Sequence, residues 1–244
     1  MNSQQLYQVV MDHRKTLLPT IFERTQNKVI SGPFKDMTIL PVFCWGDGDI
    51  AGKLLGLYED ELYPTIENEI TKGHDLVINY GCAEGYYGIG LATRLPDAKV
   101  VLFDIAQNAL DAAKQNADAN GVTNVEYTLE CNHAKVESLL AAATNPLIIM
   151  DCEGAEVMVL DPQQIPSLKK ATVLVETHDC IKYGITDELV KRFDETHEIE
   201  LILQGTKNLY IEPIHDIGDI DKMILNCENR PSTMGWLHMV PWTE

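Results

Sequence analysis

Residues 76–92, LVINYGCAEGYYGIGLA, limit what this chain can fold into more than any other stretch. An unbroken apolar run, Leu76-Val77-Ile78, meets polar Asn79 and then Gly81 and Gly85, after which the pattern can continue only as a helix. A strand, a tight turn and a helix N-terminus are therefore expected in succession. Glycine tolerates positive φ and lets backbone come close to a ligand, and the unpaired N–H groups that open the helix offer hydrogen bonds. The turn reads as the seat of a nucleotide-type ligand.

The spacing of its small residues narrows the choice of nucleotide. The dinucleotide pattern G-x-G-x-x-G needs glycine at 81, 83 and 86, where the chain has Gly81, Ala83 and Tyr86, so a nicotinamide-dependent oxidoreductase is the weakest alternative. The turn instead resembles the acid-x-G-x-G-x-G turn of S-adenosylmethionine (SAM) methyltransferases, with Asn79 at the acid position, Ala83 in the middle and Gly85 last. A second buried-type run, Val100-Val101-Leu102-Phe103, ends in Asp104 roughly 20 residues on, where nucleotide folds place a carboxylate for ribose hydroxyls. The expected cofactor contacts are the turn residues Asn79, Gly81, Cys82, Ala83, Glu84, Gly85 and Tyr86, together with Asp104 and, beside adenine, Asn132.

Beyond the turn, apolar runs alternate with helical patterns: helix 85–94, strand 99–104, helix 107–120, strand 124–130, helix 134–143, strand 146–151, strand 171–178, helix 186–196. Unbroken apolar strands separated by helices imply a parallel sheet covered on both faces. Two late strand-like runs, 198–204 and 235–240, with a helix over 215–226 between them, imply that the last strand inserts antiparallel. Upstream, residues 3–30 have helical spacing interrupted by Pro19, which fits two helices or one kinked helix, and 34–45 look like a hairpin closed by a loop at 46–49. A helix over 60–71 with Pro64 in its first turn delivers the chain to the sheet. The expected architecture is an α/β, Rossmann-like doubly wound sheet, mostly parallel, spanning 52–244, with a helical and hairpin extension over 1–51 packing on it.

A 45% apolar and 23% charged composition provides ample core, and a formal net charge of −18 repels phosphate backbones and anionic headgroups. The reading from charge is a small-molecule acceptor with no nucleic acid and no membrane partner, and a homo-oligomer is compatible with it. Six cysteines without a C-x-x-C pair indicate neither zinc nor a disulfide framework. With no signal-peptide pattern at the N-terminus and no window near the ~18 apolar residues of a span, the expected location is cytoplasmic.

Four segments together resemble the FkbM-type family of class I SAM-dependent methyltransferases: Leu57-Tyr58-Glu59, 77–87 (VINYGCAEGYY), 148–156 (IIMDCEGAE) and 173–179 (VLVETHD). The third, a strand running into D-x-E-G-x-E, is the most specific. The resemblance covers roughly 52–180 and implies the class I fold and methyl transfer from SAM, usually to a hydroxyl oxygen of a sugar or natural product. It also implies that Tyr58 and Glu59 close over the methionine end of the cofactor. Asn79 departs from the family's usual acid, and asparagine accepts a hydrogen bond without supplying charge to the SAM ammonium. A SAM-fold binding protein without catalysis is therefore the alternative.

In open α/β sheets ligands bind at the carboxyl ends of the strands, which collects Asp151, Glu153, Glu176, His178 and Asp179 at the same edge as Asn79 and Asp104. His178 is the natural base for a hydroxyl proton, with Asp151 and Glu153 beside it and Glu156 one turn along behind Glu153. A divalent ion such as Mg²⁺ would instead draw on Asp151, Glu176, His178 and Asp179. These residues lack a specific metal spacing, so the expectation is a metal-free site.

Overall fold

The computed structural model describes residues 2–45, 49–129, 132–228, 230 and 232–242. Its strands are β1 (Leu76–Tyr80), β2 (Lys99–Phe103), β3 (Val125–Thr128), β4 (Pro146–Met150), β5 (Thr172–Thr177), β6 (His197–Leu203) and β7 (Gly235–Pro241). They form one seven-stranded sheet in the order β3-β2-β1-β4-β5-β7-β6. β1 to β5 pair in parallel, and β7 is antiparallel to both β5 and β6. The mostly parallel sheet with an antiparallel last strand is thus present.

Continuous apolar strands work here because both faces are covered. Alternate residues of β1 point to opposite sides: Val77 joins one core, with Val100, Leu102, Leu147, Ile149, Leu174 and Trp236. Leu76, Ile78 and Tyr80 join the other, with Val101, Phe103, Ile148, Val173 and Leu237. Buried residues of α1 (Ser3–Thr25), α2 (Ile50–Leu55), α3 (Tyr63–Lys72), α4 (Tyr86–Arg94) and α5 (Gln107–Ala119) complete the first core. α6 (His133–Ala142), α7 (Glu156–Val159) and α8 (Ile185–Phe193) complete the second, and Leu225 of α9 (Asp219–Leu225) belongs to the first.

The structure sharpens the reading of the N-terminal region. Pro19 lies inside α1, which is one helix and not two. It lies on the exposed side, as does Lys15, whose carbonyl loses its helical donor there, so the missing bond costs little. Nor do residues 34–45 form a hairpin, since the described part holds only an isolated bridge between Lys28 and Thr38. Phe34, Met37 and Ile39 are buried as in a strand, but their backbone pairs only briefly with residues 27–29, through Val29 N–H to the Met37 carbonyl and Ile39 N–H to that of Asn27, and side chains supply further partners. Asn120 Oδ1 accepts from the Thr38 N–H at 2.8 Å, and Asn116 Oδ1 from that of Leu40 at 2.9 Å. Finally, the boundary read between residues 51 and 52 falls inside α2, and residues 18–39 contribute to the same core as α4 and α5. The loop at 46–49 and the end of the 124–130 run lie partly outside the described residues.

Candidate active site

The two turn glycines answer to the protein's own neighbouring atoms, backbone at Gly81 and side chain at Gly85. Gly81 has φ +64°, and a Cβ there would stand 1.7 Å from the carbonyl oxygen of Asp151. Gly85 has φ +92°, and its Cβ would meet Ile89 Cγ1 at 2.7 Å. Ala83 between them is also left-handed, at φ +48°. Asp104 pins this turn: its Oδ2 accepts from the Ala83 N–H at 3.0 Å, and its Oδ1 accepts from the Ala106 N–H, at the cap of α5, at 2.9 Å. The next residue, Ile105, is 87% exposed, an apolar side chain left open beside a buried carboxylate.

Asn79, on β1, donates weakly to the carbonyls of Tyr80 and Ile149 at 3.3 and 3.4 Å. Its Oδ1 is buried with no hydrogen-bond partner among the described residues. The other turn side chains face elsewhere. Cys82 is buried, and Glu84 forms a buried ion pair of 2.6 Å with Lys53 of α2. Tyr86 packs edge-on against Phe34 and Tyr58, at ring distances of 5.2 and 5.6 Å, inside the first core. A single positive φ at Gly85 turns the chain so that residue 86 faces the core. Asn132 is exposed and caps α6, its Oδ1 accepting from the Lys135 N–H at 2.9 Å.

The ends of β4 and β5 build a second, acidic half. Asp151, Glu153, Glu176 and His178 line a pocket with Tyr58 and Glu59, which come from the segment before α3. His178 is 1% exposed and its Nδ1 donates to Glu156 Oε1 at 2.6 Å. Its Nε2 looks at Glu176, Asp151 and Glu153 at 3.4, 3.5 and 3.5 Å and makes no hydrogen bond to any described residue. Glu153 (φ +49°) and Gly154 (φ +99°) turn the D-x-E-G-x-E loop back over the histidine. Such a left-handed non-glycine residue persists only where the surroundings enforce it.

Glu156, read as support for Glu153, supports His178 instead, because the reversed loop puts it under the imidazole. Asp179 leaves the expected ligand set altogether: its Oδ1 accepts from the Gly184 N–H at 2.9 Å and its Oδ2 from the Thr186 N–H and hydroxyl. It lies just beyond the end of β5, where its nearest donors are the unpaired N–H groups that open α8.

The pocket also holds a cation that sequence reasoning missed. Arg230, from the segment before β7, pairs with Glu176 Oε1 at 2.6 Å, with Glu59 Oε1 and with Glu228 Oε2 at 2.9 Å. Glu59 is held further by Tyr87 Oη and by Trp236 Nε1–H, 3.1 Å from its Oε1. No motif surrounds Arg230; the only available signal was the need of the buried acids for a counter-charge. Even so, burial pushes the carboxyls of Glu59, Asp151 and Glu176 above the ordinary range, with Arg230 opposing the rise at Glu59 and Glu176. At His178 burial acts downward, but the bond to Glu156 and the charge of Asp151 more than offset it, so the imidazole is raised.

A family model described as a methyltransferase domain matches residues 71–198. The release factor glutamine methyltransferase of Chlorobaculum tepidum is 33% identical over 100 residues, 41% of this chain and 31% of that protein. The ribosomal RNA small subunit methyltransferase C of Pseudomonas entomophila is 30% identical over 120 residues, 48% of this chain and 33% of that protein. The matches span about a third of the length of these relatives. Among solved structures, the O-methyltransferase TomG of Streptomyces achromogenes, in complex with SAM, aligns with a TM-score of 0.49 and 13% identity over 82% of this chain and 92% of that one. The relatives overturn one expectation from composition: proteins named for ribosomal RNA and release-factor methylation share this sequence, so the net charge does not exclude a nucleic-acid partner. Net charge sums the whole surface, whereas an interface responds to its local part. No helix among the described residues is long and apolar enough to cross a membrane. With its sheet order and a family match over more than half of its length, the chain belongs to the methyltransferase-domain family and has the class I SAM-dependent methyltransferase fold.

Proposed function

We propose that this chain transfers the methyl group of SAM to a hydroxyl oxygen, as its resemblance to FkbM-type enzymes acting on sugars and natural products implies. The observation that carries this reading is the shared wall of the two half-sites: Gly81 of the turn abuts the Asp151 carbonyl of the acidic pocket too closely for any Cβ. The first half fits SAM. Asn79 Oδ1 is a buried acceptor for the ammonium group, Asp104 retains lone pairs for ribose hydroxyls, and Ile105 offers adenine an apolar face. When bound, SAM supplies an electrophilic methyl group and leaves as S-adenosylhomocysteine.

The second half receives the acceptor. Asp151, Glu153 and His178 orient its hydroxyl and take its proton, which passes on to water. Tyr58 and Glu59 line the same pocket and bound it on the methionine side. The test is a thermal-shift titration with SAM, S-adenosylhomocysteine and NADH, followed by transfer of labelled methyl to hydroxylated small molecules, ribosomal RNA and protein in parallel. Stabilisation by SAM and label on a hydroxylated compound are expected. Stabilisation by NADH alone overturns the cofactor, and label confined to RNA or protein overturns the acceptor. Binding of SAM with no transfer to any of the three returns the chain to a non-catalytic binding role.

A further inference from the structure

We propose that Asp151, Glu153 and His178 form a binding site for a first-row divalent cation such as Mn²⁺. One ligand atom from each lies within 4.8 Å of the other two. Two buried atoms among them, Asp151 Oδ1 and His178 Nε2, have no hydrogen-bond partner among the described residues. Because the Glu156 carboxylate only accepts, the proton on the imidazole it faces sits on Nδ1, and in the neutral ring Nε2 directs a bare lone pair at the acids. Three carboxyl oxygens thus converge on Nε2 at 3.4–3.5 Å, each beyond the reach of a good hydrogen bond and spaced as ligands of one ion would be.

The spacing suits such an ion. Ligands at right angles around a cation with bonds of roughly 2.1–2.4 Å stand about 3.0–3.4 Å apart, longer than the ~2.8 Å of a charge-assisted hydrogen bond. Histidine held from behind by a carboxylate is also the usual support for a metal-bound imidazole. One imidazole with carboxylates favours Mn²⁺ or Zn²⁺ over Ca²⁺. A cation here binds and acidifies an acceptor hydroxyl. That use rests on the methyl-transfer reading above; the site itself does not.

The chain is stripped with EDTA and titrated with MnCl₂, with free Mn²⁺ followed by its electron paramagnetic resonance signal. Stoichiometric binding is expected in the wild type. Glu153→Gln, at a side chain 75% exposed, should weaken it by about tenfold or more without changing the circular dichroism or the melting temperature. Asp151→Asn should weaken it further. Failure of both Mn²⁺ and Zn²⁺ to bind overturns the proposal, and so does equal affinity in wild type and both variants. A SAM thermal shift on the same samples separates the two readings: metal binding without SAM binding leaves the site standing and removes its methyl-transfer use.

Discussion

Two buried clusters of charge sit at opposite edges of the sheet and are built on opposite principles. At the N-terminal ends of β1 and β4, Glu69 of α3 is 1% exposed and fully engaged. Its Oε1 lies 2.7 Å from Lys72 Nζ and 2.9 Å from His238 Nε2, and its Oε2 lies 3.1 Å from His74 Nε2, whose Nδ1 reaches the Asn145 carbonyl at 3.0 Å. At the C-terminal ends of β4 and β5, Asp151, His178 and Glu156 each keep a buried atom without a hydrogen-bond partner among the described residues. Paired polar groups rigidify a fold, whereas buried groups left short of partners cost stability and persist where a ligand completes them. The first cluster is scaffold, and the second is the half-site that we propose receives the acceptor.

Removing Glu69 should break that contrast most visibly. Glu69→Ala leaves two buried histidines without their acceptor and is expected to lower unfolding free energy by about 3 kcal/mol in urea, with the SAM dissociation constant unchanged. The cluster also sets an acid limit. Burial acts against the Glu69 carboxylate, but the bonds from His238, His74 and Lys72 overcome it and hold its pKa below the ordinary value of 4.5, with Glu200 4.0 Å from His238 on the outer side. A carboxylate depressed in the folded state stabilises fully above its unfolded pKa, so this contribution should fade as pH falls below about 4.5. Acid unfolding curves of wild type and Glu69→Ala that run parallel through this range would remove the scaffold role.

In the other cluster the effect should fall on turnover. Glu153→Gln is expected to reduce methyl transfer about 100-fold while melting within a degree or two of wild type, because its side chain is mostly in solvent. A large loss of stability with normal turnover would invert the comparison. Asp104→Ala comes next: it should abolish most of the SAM-induced rise in melting temperature and cost about 1 kcal/mol, since Ala83 and Ala106 lose their shared acceptor. The smallest change belongs to Asn79→Asp, which should tighten SAM binding about threefold by adding charge opposite the ammonium group. Weaker binding, measured by calorimetry, would assign Asn79 a different role.

Much of the fold was legible because its causes are local. The runs 76–78 and 146–150 are unbroken apolar stretches, which suits strands covered on both faces, and the glycines at 81 and 85 mark a turn built on left-handed backbone. D-x-E-G-x-E also placed Asp151 and Glu153 at the correct edge. Position along a strand is a local property; the direction in which a loop side chain finally points is not. Asp179 caps α8 rather than joining His178, Glu156 stands under the imidazole, and Tyr86 turns into the core, each decided by one loop φ or by whichever donor packs nearest. The missing hairpin has the same origin, because Asn116 of α5 and Asn120 just after it take the Leu40 and Thr38 N–H groups that a second strand would have taken. Arg230 joins Glu59 and Glu176 from more than fifty residues away in sequence because buried charge must be compensated in space, by whatever cation the tertiary structure brings near.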